Sequence, residues 1–233
     1  MKVAIHQPNF LPYLGYFDKM SKTDLWVYYD DAQFVYRDYH HRNRIATTNG
    51  PLWLTMPVCK PDHESPIPIK DIKIIDRRIK GQPWQGYFIQ QIERNYRRSK
   101  FFNHYFPKLA EIIGSPHLML SALNMDLINF LRECFGIRNE VLFSSSLSED
   151  GRITSRSTEK IVDLCNLVGA DTYLSGSGGR GYMDEELFKV AGINLEYQEF
   201  HHPNYRQVNR ESFLKNMSAI DFLFNCGGDL HGN

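Results

Sequence analysis

The stretch MKVAIHQPNFLPYLGYFDKMSKTDLWVYYDDAQF, residues 1–34, decides how the rest of the chain is read. Lys2 to Ile5 is a short apolar, β-branched run that delivers His6, Gln7 and Pro8 at its carboxyl end, where an open α/β sheet places its ligands. Pro12 suits the first turn of a helix, because it lacks only an N–H that would go unpaired there. Leu14, Phe17 and Met20 keep helical spacing, and Leu25 to Tyr29 reads as the next buried strand. Strand, crossover helix and parallel strand predict an α/β fold with a Rossmann-like parallel sheet.

Working outward, Asp30-Asp31-Ala32-Gln33-Phe34 is followed by YRDYHHRNR, residues 36–44, in which Asp38 is the sole acid. One reading is a solvated loop with Arg–Asp pairs. The functional reading has Asp30, Asp31 and Gln33 binding hydroxyls or a metal, while Arg37, Arg42 and Arg44 hold phosphate or carboxylate. Residues 45–48 and 53–58 around Asn49-Gly50 predict a β-hairpin. Residues 59–69 read as a Pro-rich loop, and residues 71–75 as a further strand. Between Lys70 and Lys100, nine Lys and Arg stand against Asp71, Asp76 and Glu93. Trp84, Tyr87, Phe88, Ile92 and Tyr96 share helical spacing, so an amphipathic helix with a basic face is expected, a solvated surface or one suited to nucleotide phosphate or RNA. Helices are expected over 101–113 and 119–135, the second with Leu120, Leu123, Leu127, Phe130 and Leu131 as its buried stripe.

Strands are then expected over 140–144, 170–175 and 193–198, with a helix from Thr154 or Ser155 to Leu167 whose positive end suits an anion. Gly176-Ser177-Gly178-Gly179-Arg180-Gly181-Tyr182 lies between a strand and a helix beginning near Met183 or Asp184. There, backbone N–H groups could cradle phosphate, or the glycines could simply turn the chain. A closing helix over 217–224 has Ser218 as a candidate cap. The reading is one α/β domain over 1–228, with a hairpin and helical insertion at 45–136 and a tail at 229–233.

Composition sets limits. Net charge is zero and the pI is about 7.1, so no global field draws the protein to nucleic acid or membrane. Cys59, Cys134, Cys165 and Cys226 are scattered without CxxC spacing, which suits reduced, packed thiols. The polar residues from His6 onward exclude a long apolar leader or membrane span near the start, and a cytoplasmic protein without membrane insertion is expected.

The polar clusters recur at strand ends: His6-Gln7, Asp30-Asp31-Gln33, Ser144-Ser145, Ser175 to Gly179, and His201-His202. Parallel strands would gather them on one rim. His201 and His202 lack any metal-ligand pattern, and no metal is expected. No Gly-x-Ser-x-Gly elbow is present, which disfavours a serine nucleophile. Lys19-Met20-Ser21-Lys22 spells the start of the synthetase KMSKS loop but ends the first helix, and is read as coincidence.

HQPNFLPYLGYFDKM, DDAQF with the RDYHHRNRI run, WLTMPV, GADTYLSGSGGRGYMD, YQEFHHPNYRQ and MSAIDFLFNCG together resemble the WbqC-like family, named after a protein of bacterial O-antigen gene clusters. This resemblance implies surface-polysaccharide, lipopolysaccharide-type sugar biosynthesis. The opening strand, turn and helix, followed by a strand ending in DDAQF, are also similar to pantothenate synthetase and its HIGH-type nucleotidyltransferase relatives. In those enzymes an HxGH turn contacts ATP while a carboxylate is activated. Here Tyr13-Leu14-Gly15-Tyr16 stands in the HxGH place, keeping Gly15 for close backbone approach and losing both histidines, which leaves use of ATP open. Joined, the two resemblances imply an amide-forming ligase or transferase that attaches an amino acid such as glycine, or a small acyl group, to a nucleotide-linked amino sugar. His6 and Gln7 would orient the carboxyl, Asp31 or His201 would take the amine proton, and Gly176, Gly178, Gly179 and Arg42 would hold phosphate. Ser175, Tyr182, His202, Tyr205 and Gln207 complete the candidate substrate residues. The rivals are a non-catalytic sugar-nucleotide-binding protein of the same pathway and an aminoacyl-tRNA-dependent transferase.

Overall fold

The computed structural model describes residues 1–60, 66–148, 153, 155–208 and 210–230. The chain runs β1 (Lys2–His6), α1 (Leu14–Ser21), β2 (Leu25–Tyr28), β3 (Arg42–Thr47), β4 (Gly50–Thr55), β5 (Arg78–Ile79) and β6 (Gln82–Pro83). Helices α2 (Trp84–Tyr96), α3 (Phe102–Gly114) and α4 (Leu120–Cys134) follow. Then come β7 (Glu140–Phe143), α5 (Ser144–Leu147), α6 (Ser157–Leu167), β8 (Thr172–Ser175), α7 (Glu185–Val190), β9 (Asn194–Tyr197) and α8 (Ala219–Cys226).

Its contacts divide into two compact units. The first comprises Met1–Gln7, Asp18–Asp31 and Arg138–His201, and holds a five-stranded sheet in the order β7-β2-β1-β8-β9. Every neighbouring pair is parallel. In order of appearance the strands lie 3-2-1-4-5, the Rossmann-like arrangement expected from residues 1–34. Successive side chains alternate between the two faces. Val3, Ile5, Leu25, Val27 and Tyr173 pack with Ile161, Leu164 and Cys165 of α6 and with Phe188 of α7. On β2, Trp26 and Tyr28 take the other face, where Lys19 of α1 lies over the Trp26 ring. Both faces being covered explains why Leu25–Tyr28 is buried at every position.

The second unit comprises Pro8–Phe17, Ala32–Ile137 and His202–Asn233. The stripe expected on α2, Trp84, Tyr87, Phe88, Ile92 and Tyr96, is its buried face, and α4 buries the expected leucines. Tyr96 and Phe102 meet Phe224 of α8, with ring centroids 5.3 Å apart in each pair. Burying side chains of this size contributes roughly 1.5–3 kcal/mol apiece. Ser218 caps α8 by accepting from the Ile220 N–H.

Several boundaries shift for local reasons. The hairpin pairs Thr47 with Gly50, so Thr48 and Asn49 form the turn in place of Asn49-Gly50. Gly50 takes φ 113°, a conformation that glycine adopts without a side-chain clash. The strand expected over 71–75 is instead a 3₁₀ turn at Ile69–Asp71, with single bridges from Lys73 to Met119 and from Ile74 to Val58; the segment divides its pairing between two neighbours, and among the described residues neither extends it into a ladder. Ser144 does not extend β7 but opens α5. Helix α6 starts at Ser157; of the two expected starts, Ser155 precedes it and Thr154 lies outside the described residues, as do residues 61–65 of the 59–69 loop.

Candidate functional site

Five parallel strands of the first unit end on one rim, and they bring His6, Asp30-Asp31, Ser144-Ser145, Ser175 and Gln198 to it in sequence order. The strand order reverses direction between β1 and β8, which pair through Lys2 with Thr172 and Val3 with Tyr173. That switch point is where open α/β sheets leave a crevice, and His6 and Ser175 end the two strands beside it. The His6 ring stacks on Trp26 with centroids 5.9 Å apart, and its Nδ1 lies 3.0 Å from the Gln7 carbonyl. Ser175 is buried.

The paired carboxylates are tightly held. Asp30 accepts from the Ser145 N–H at 3.0 Å and the Ser145 hydroxyl at 2.7 Å. Asp31 accepts from the Ser144 hydroxyl at 2.5 Å and from Lys160 Nζ of α6 at 2.6 Å. Lys160 also lies 5.2 Å from the Tyr29 ring centre. Burial, with the Asp31 charge beside it, pushes the Tyr29 phenol up to about 12. Strand β2, α5 and α6 are thus tied by one polar cluster with a lysine at its centre. Such an arrangement can fix a substrate hydroxyl or amine by proximity, but both Asp31 oxygens already have partners.

The glycine-rich segment is partly closed on itself. Ser177–Gly181 forms a 3₁₀ helix, and the N–H groups of Gly179, Tyr182 and Met183 donate to Gly176 and Gly179 carbonyls within the segment. A Cβ at Gly179 would fall 2.1 Å from Ser175 Oγ, whereas Gly176 and Gly178 have open space. Gly179 is therefore a packing glycine. Tyr182 is exposed, and Arg180 stacks over Tyr197 at 4.3 Å. His201 is exposed four residues beyond β9.

The remaining expected residues belong to the second unit. Gly15 is buried inside α1, and Gln33 is exposed with a bridge to Pro68. Arg37 sits in a left-handed loop conformation, φ 67°. Arg42 and Arg44 do not extend from a loop: β3 carries them, and their guanidinium carbons lie 4.3 and 5.4 Å from the Trp53 ring centre. Beside them His40 and His41 are buried, and burial holds both imidazoles down to about 4, with Arg42 adding to the effect at His41. His40 Nδ1 accepts from the Val35 N–H at 3.2 Å, which requires that nitrogen unprotonated. The motif PNFLP acts as a backbone rail: Asn124 donates to the Pro8 carbonyl, Asn43 to that of Leu11, and the Ala219 N–H to that of Pro12.

Tyr205 and Gln207 are pulled inward. Asp221 of α8 is fully buried and accepts from Tyr96 Oη at 2.8 Å, Tyr205 Oη at 2.6 Å and Gln207 Nε2 at 2.7 Å. Burial raises the Asp221 carboxyl, and those three donors pull against it. The Tyr96 hydroxyl also accepts from the Ala46 N–H of β3, and His202 stacks on Tyr205 at 6.1 Å.

Sequence reasoning missed Lys160, Asp221, the buried His40-His41 pair and Lys19. Asp221 had a signal, a lone acid within the apolar run AIDFLF. Lys19 had one too, in the KMSK tetrad, but it lies in a helix and fully buried, where loss of water lowers its ammonium to about 7. Lys160 had none, because a lysine in a helix is usually solvated.

The sheet order and its strand-end cluster define a Rossmann-like α/β protein with a polar rim. The chain belongs to the WbqC-like protein family, which it matches over residues 7–231. It is 33% identical over 233 residues to the uncharacterized protein Rv1507c of Mycobacterium tuberculosis (strain ATCC 25618 / H37Rv), a similarity covering 98% of this chain and 95% of that protein. No solved structure matches it. Family membership suggests a function associated with polysaccharide gene clusters. Among the described residues no helix is long and apolar enough to cross a membrane.

Proposed function

We propose that the protein is a cytoplasmic enzyme of surface-polysaccharide amino-sugar biosynthesis. It forms an amide between an amino acid such as glycine, or a small acyl group, and the amine of a nucleotide-linked amino sugar. The observation that carries this reading is the rim of five parallel strand ends in one unit, with His6 and Ser175 flanking the switch point and the Asp30-Asp31-Lys160 cluster beside them. The acyl group arrives activated, as an adenylate made with ATP or as an aminoacyl-tRNA. The sugar amine attacks the acyl carbonyl, the carbon–nitrogen bond forms as the bond to the leaving group breaks, and the amine proton passes to a base. His6 and Gln7 orient the carbonyl. Because both Asp31 oxygens are engaged, His201 is the proton acceptor and the Asp31–Lys160 pair is positioning apparatus.

The test is incubation of purified protein with ATP, glycine and a panel of dTDP- and UDP-amino sugars, with charged glycyl-tRNA in a parallel arm. A gain of one glycyl unit on a sugar, lost in His6→Ala, supports the reading; unchanged sugars in both arms sink it. The saturated Asp30-Asp31 cluster also favours a second reading, a sugar-nucleotide-binding protein without turnover. That protein would be stabilised thermally by the same sugars and release nothing.

A further inference from the structure

We infer that the second unit carries a binding cleft for the diphosphate of a nucleotide, built from Arg98, Lys100, Arg206 and Arg210. These four cations line a hollow of about 710 Å³ in which Glu211 is the only acid among the described residues, a size suited to a small organic ligand. Arg98, Lys100 and Arg206 are exposed and make no ion pair among the described residues. Like charges left together in an otherwise neutral protein repel one another unless an anion joins them, and guanidinium forks match phosphate oxygens two at a time.

The cleft is held in shape from beneath. Asn225 of α8 accepts from the Ser99 hydroxyl at 3.2 Å and the Val208 N–H at 3.1 Å, and donates to the Asp221 carbonyl at 2.7 Å. Residues 98–100 and 206–208 are thereby pinned to one helix. The Arg210 guanidinium is aimed by bonds to the Ser212 carbonyl and hydroxyl and to the Thr47 carbonyl. None of these acceptors is a carboxylate, so Arg210 adds its positive charge to the cleft while most of its N–H groups, including a second Nη1 bond to the Thr48 carbonyl, hold the chain itself. An adjoining hollow of about 450 Å³ shares Arg206, Arg210 and Glu211 and is walled by Phe213, leaving room and an aromatic wall for a base beyond the phosphates. The cleft stands apart from the amide-forming reading, since it would hold a nucleoside diphosphate whether or not any acyl group is transferred.

The experiment is calorimetric titration of UDP, ADP and inorganic pyrophosphate into the full chain, at low and at physiological ionic strength. UDP or ADP binds, more tightly at low salt. Arg98→Glu and Arg206→Glu each weaken binding about tenfold or more, while Lys189→Glu on α7, the same change of net charge elsewhere, leaves it unchanged. Arg206→Gln removes the charge without reversing it and keeps the result readable if Arg206→Glu does not fold. Absence of binding by all three probes overturns the inference, as do wild-type affinity in both cleft variants or an equal loss in Lys189→Glu. Salt-sensitive retention of tRNA through Arg98 and Arg206, with no affinity for UDP or ADP, also overturns it and gives the surface to RNA.

Discussion

A lysine sealed beneath a tryptophan has no water to stabilise its charge. Lys19 is 2% exposed and lies 5.2 Å from the centre of the Trp26 ring, and burial lowers its ammonium from 10.5 to about 7. The folded state therefore binds this proton less tightly than the unfolded chain, so stability rises with pH between about 7 and 10.5. Lys19→Met keeps the length and volume of the side chain and removes the charge. We expect it to stabilise the protein by on the order of 2 kcal/mol at pH 7, the cation–π attraction offsetting part of the gain. The difference should shrink toward pH 10. Urea denaturation at the two pH values checks this, and a variant less stable than wild type at pH 7 would show that the amine is held by more than the ring. If Lys19→Met folds more firmly yet loses the amide-forming activity proposed above, the buried amine serves that chemistry and not the fold.

At the scale of elements, Gly179 and Asp221 test whether residues that looked like ligand contacts, Gly179 itself and the Tyr205 and Gln207 bound to Asp221, are fasteners. Gly179→Ala would bring a methyl group within 2.1 Å of Ser175 Oγ, forcing the 3₁₀ turn away from β8. A loss of about 1–3 kcal/mol is expected. Gly178→Ala meets open space and should leave stability within about 0.5 kcal/mol. Thermal melts of the pair decide the matter; equal losses would mean that the segment does not pack as described. Asp221 joins α8 to α2 and to the 205–207 segment, and through Tyr96 to β3. Asp221→Leu strands three buried donors at once. It should cost about 3–5 kcal/mol in urea unfolding, whereas a change under 1 kcal/mol would mean that these donors find other acceptors.

Across the whole molecule, what the sequence made legible was periodicity and strand exits. Residues 1–34 announced β1, α1 and β2, and the apolar stripes announced α2 and α4, because burial imposes a repeat that survives any tertiary detail. Side-chain commitments were hidden, since nothing local distinguishes Asp31 awaiting a substrate from Asp31 bound to Lys160, 129 residues away. Tyr205 and Gln207 looked like ligand contacts for the same reason: their partner Asp221 lies on a helix that reads as plain core.

The same hidden burial sets the acid limit of the fold. His40 and His41 are each 1% exposed and their imidazoles are held down to about 4 against an ordinary 6.5. The unfolded chain takes up these protons first, so stability present above pH 6.5 is lost as pH falls toward 4. Asp221, whose carboxyl is raised, acts in the opposite direction, favouring the fold as acid protonates it, so the wild-type slope alone understates the histidines. His41 packs between Phe34 at 5.3 Å and Tyr36 at 5.2 Å. His41→Phe therefore removes the titration with little loss of contact. Urea midpoints from pH 7.5 to 4.5 should fall less steeply in the variant, which gains about 1–2 kcal/mol over wild type at pH 5 and nothing comparable at pH 7.5. Parallel curves would place the acid sensitivity elsewhere and make His41 an ordinary solvated histidine in solution.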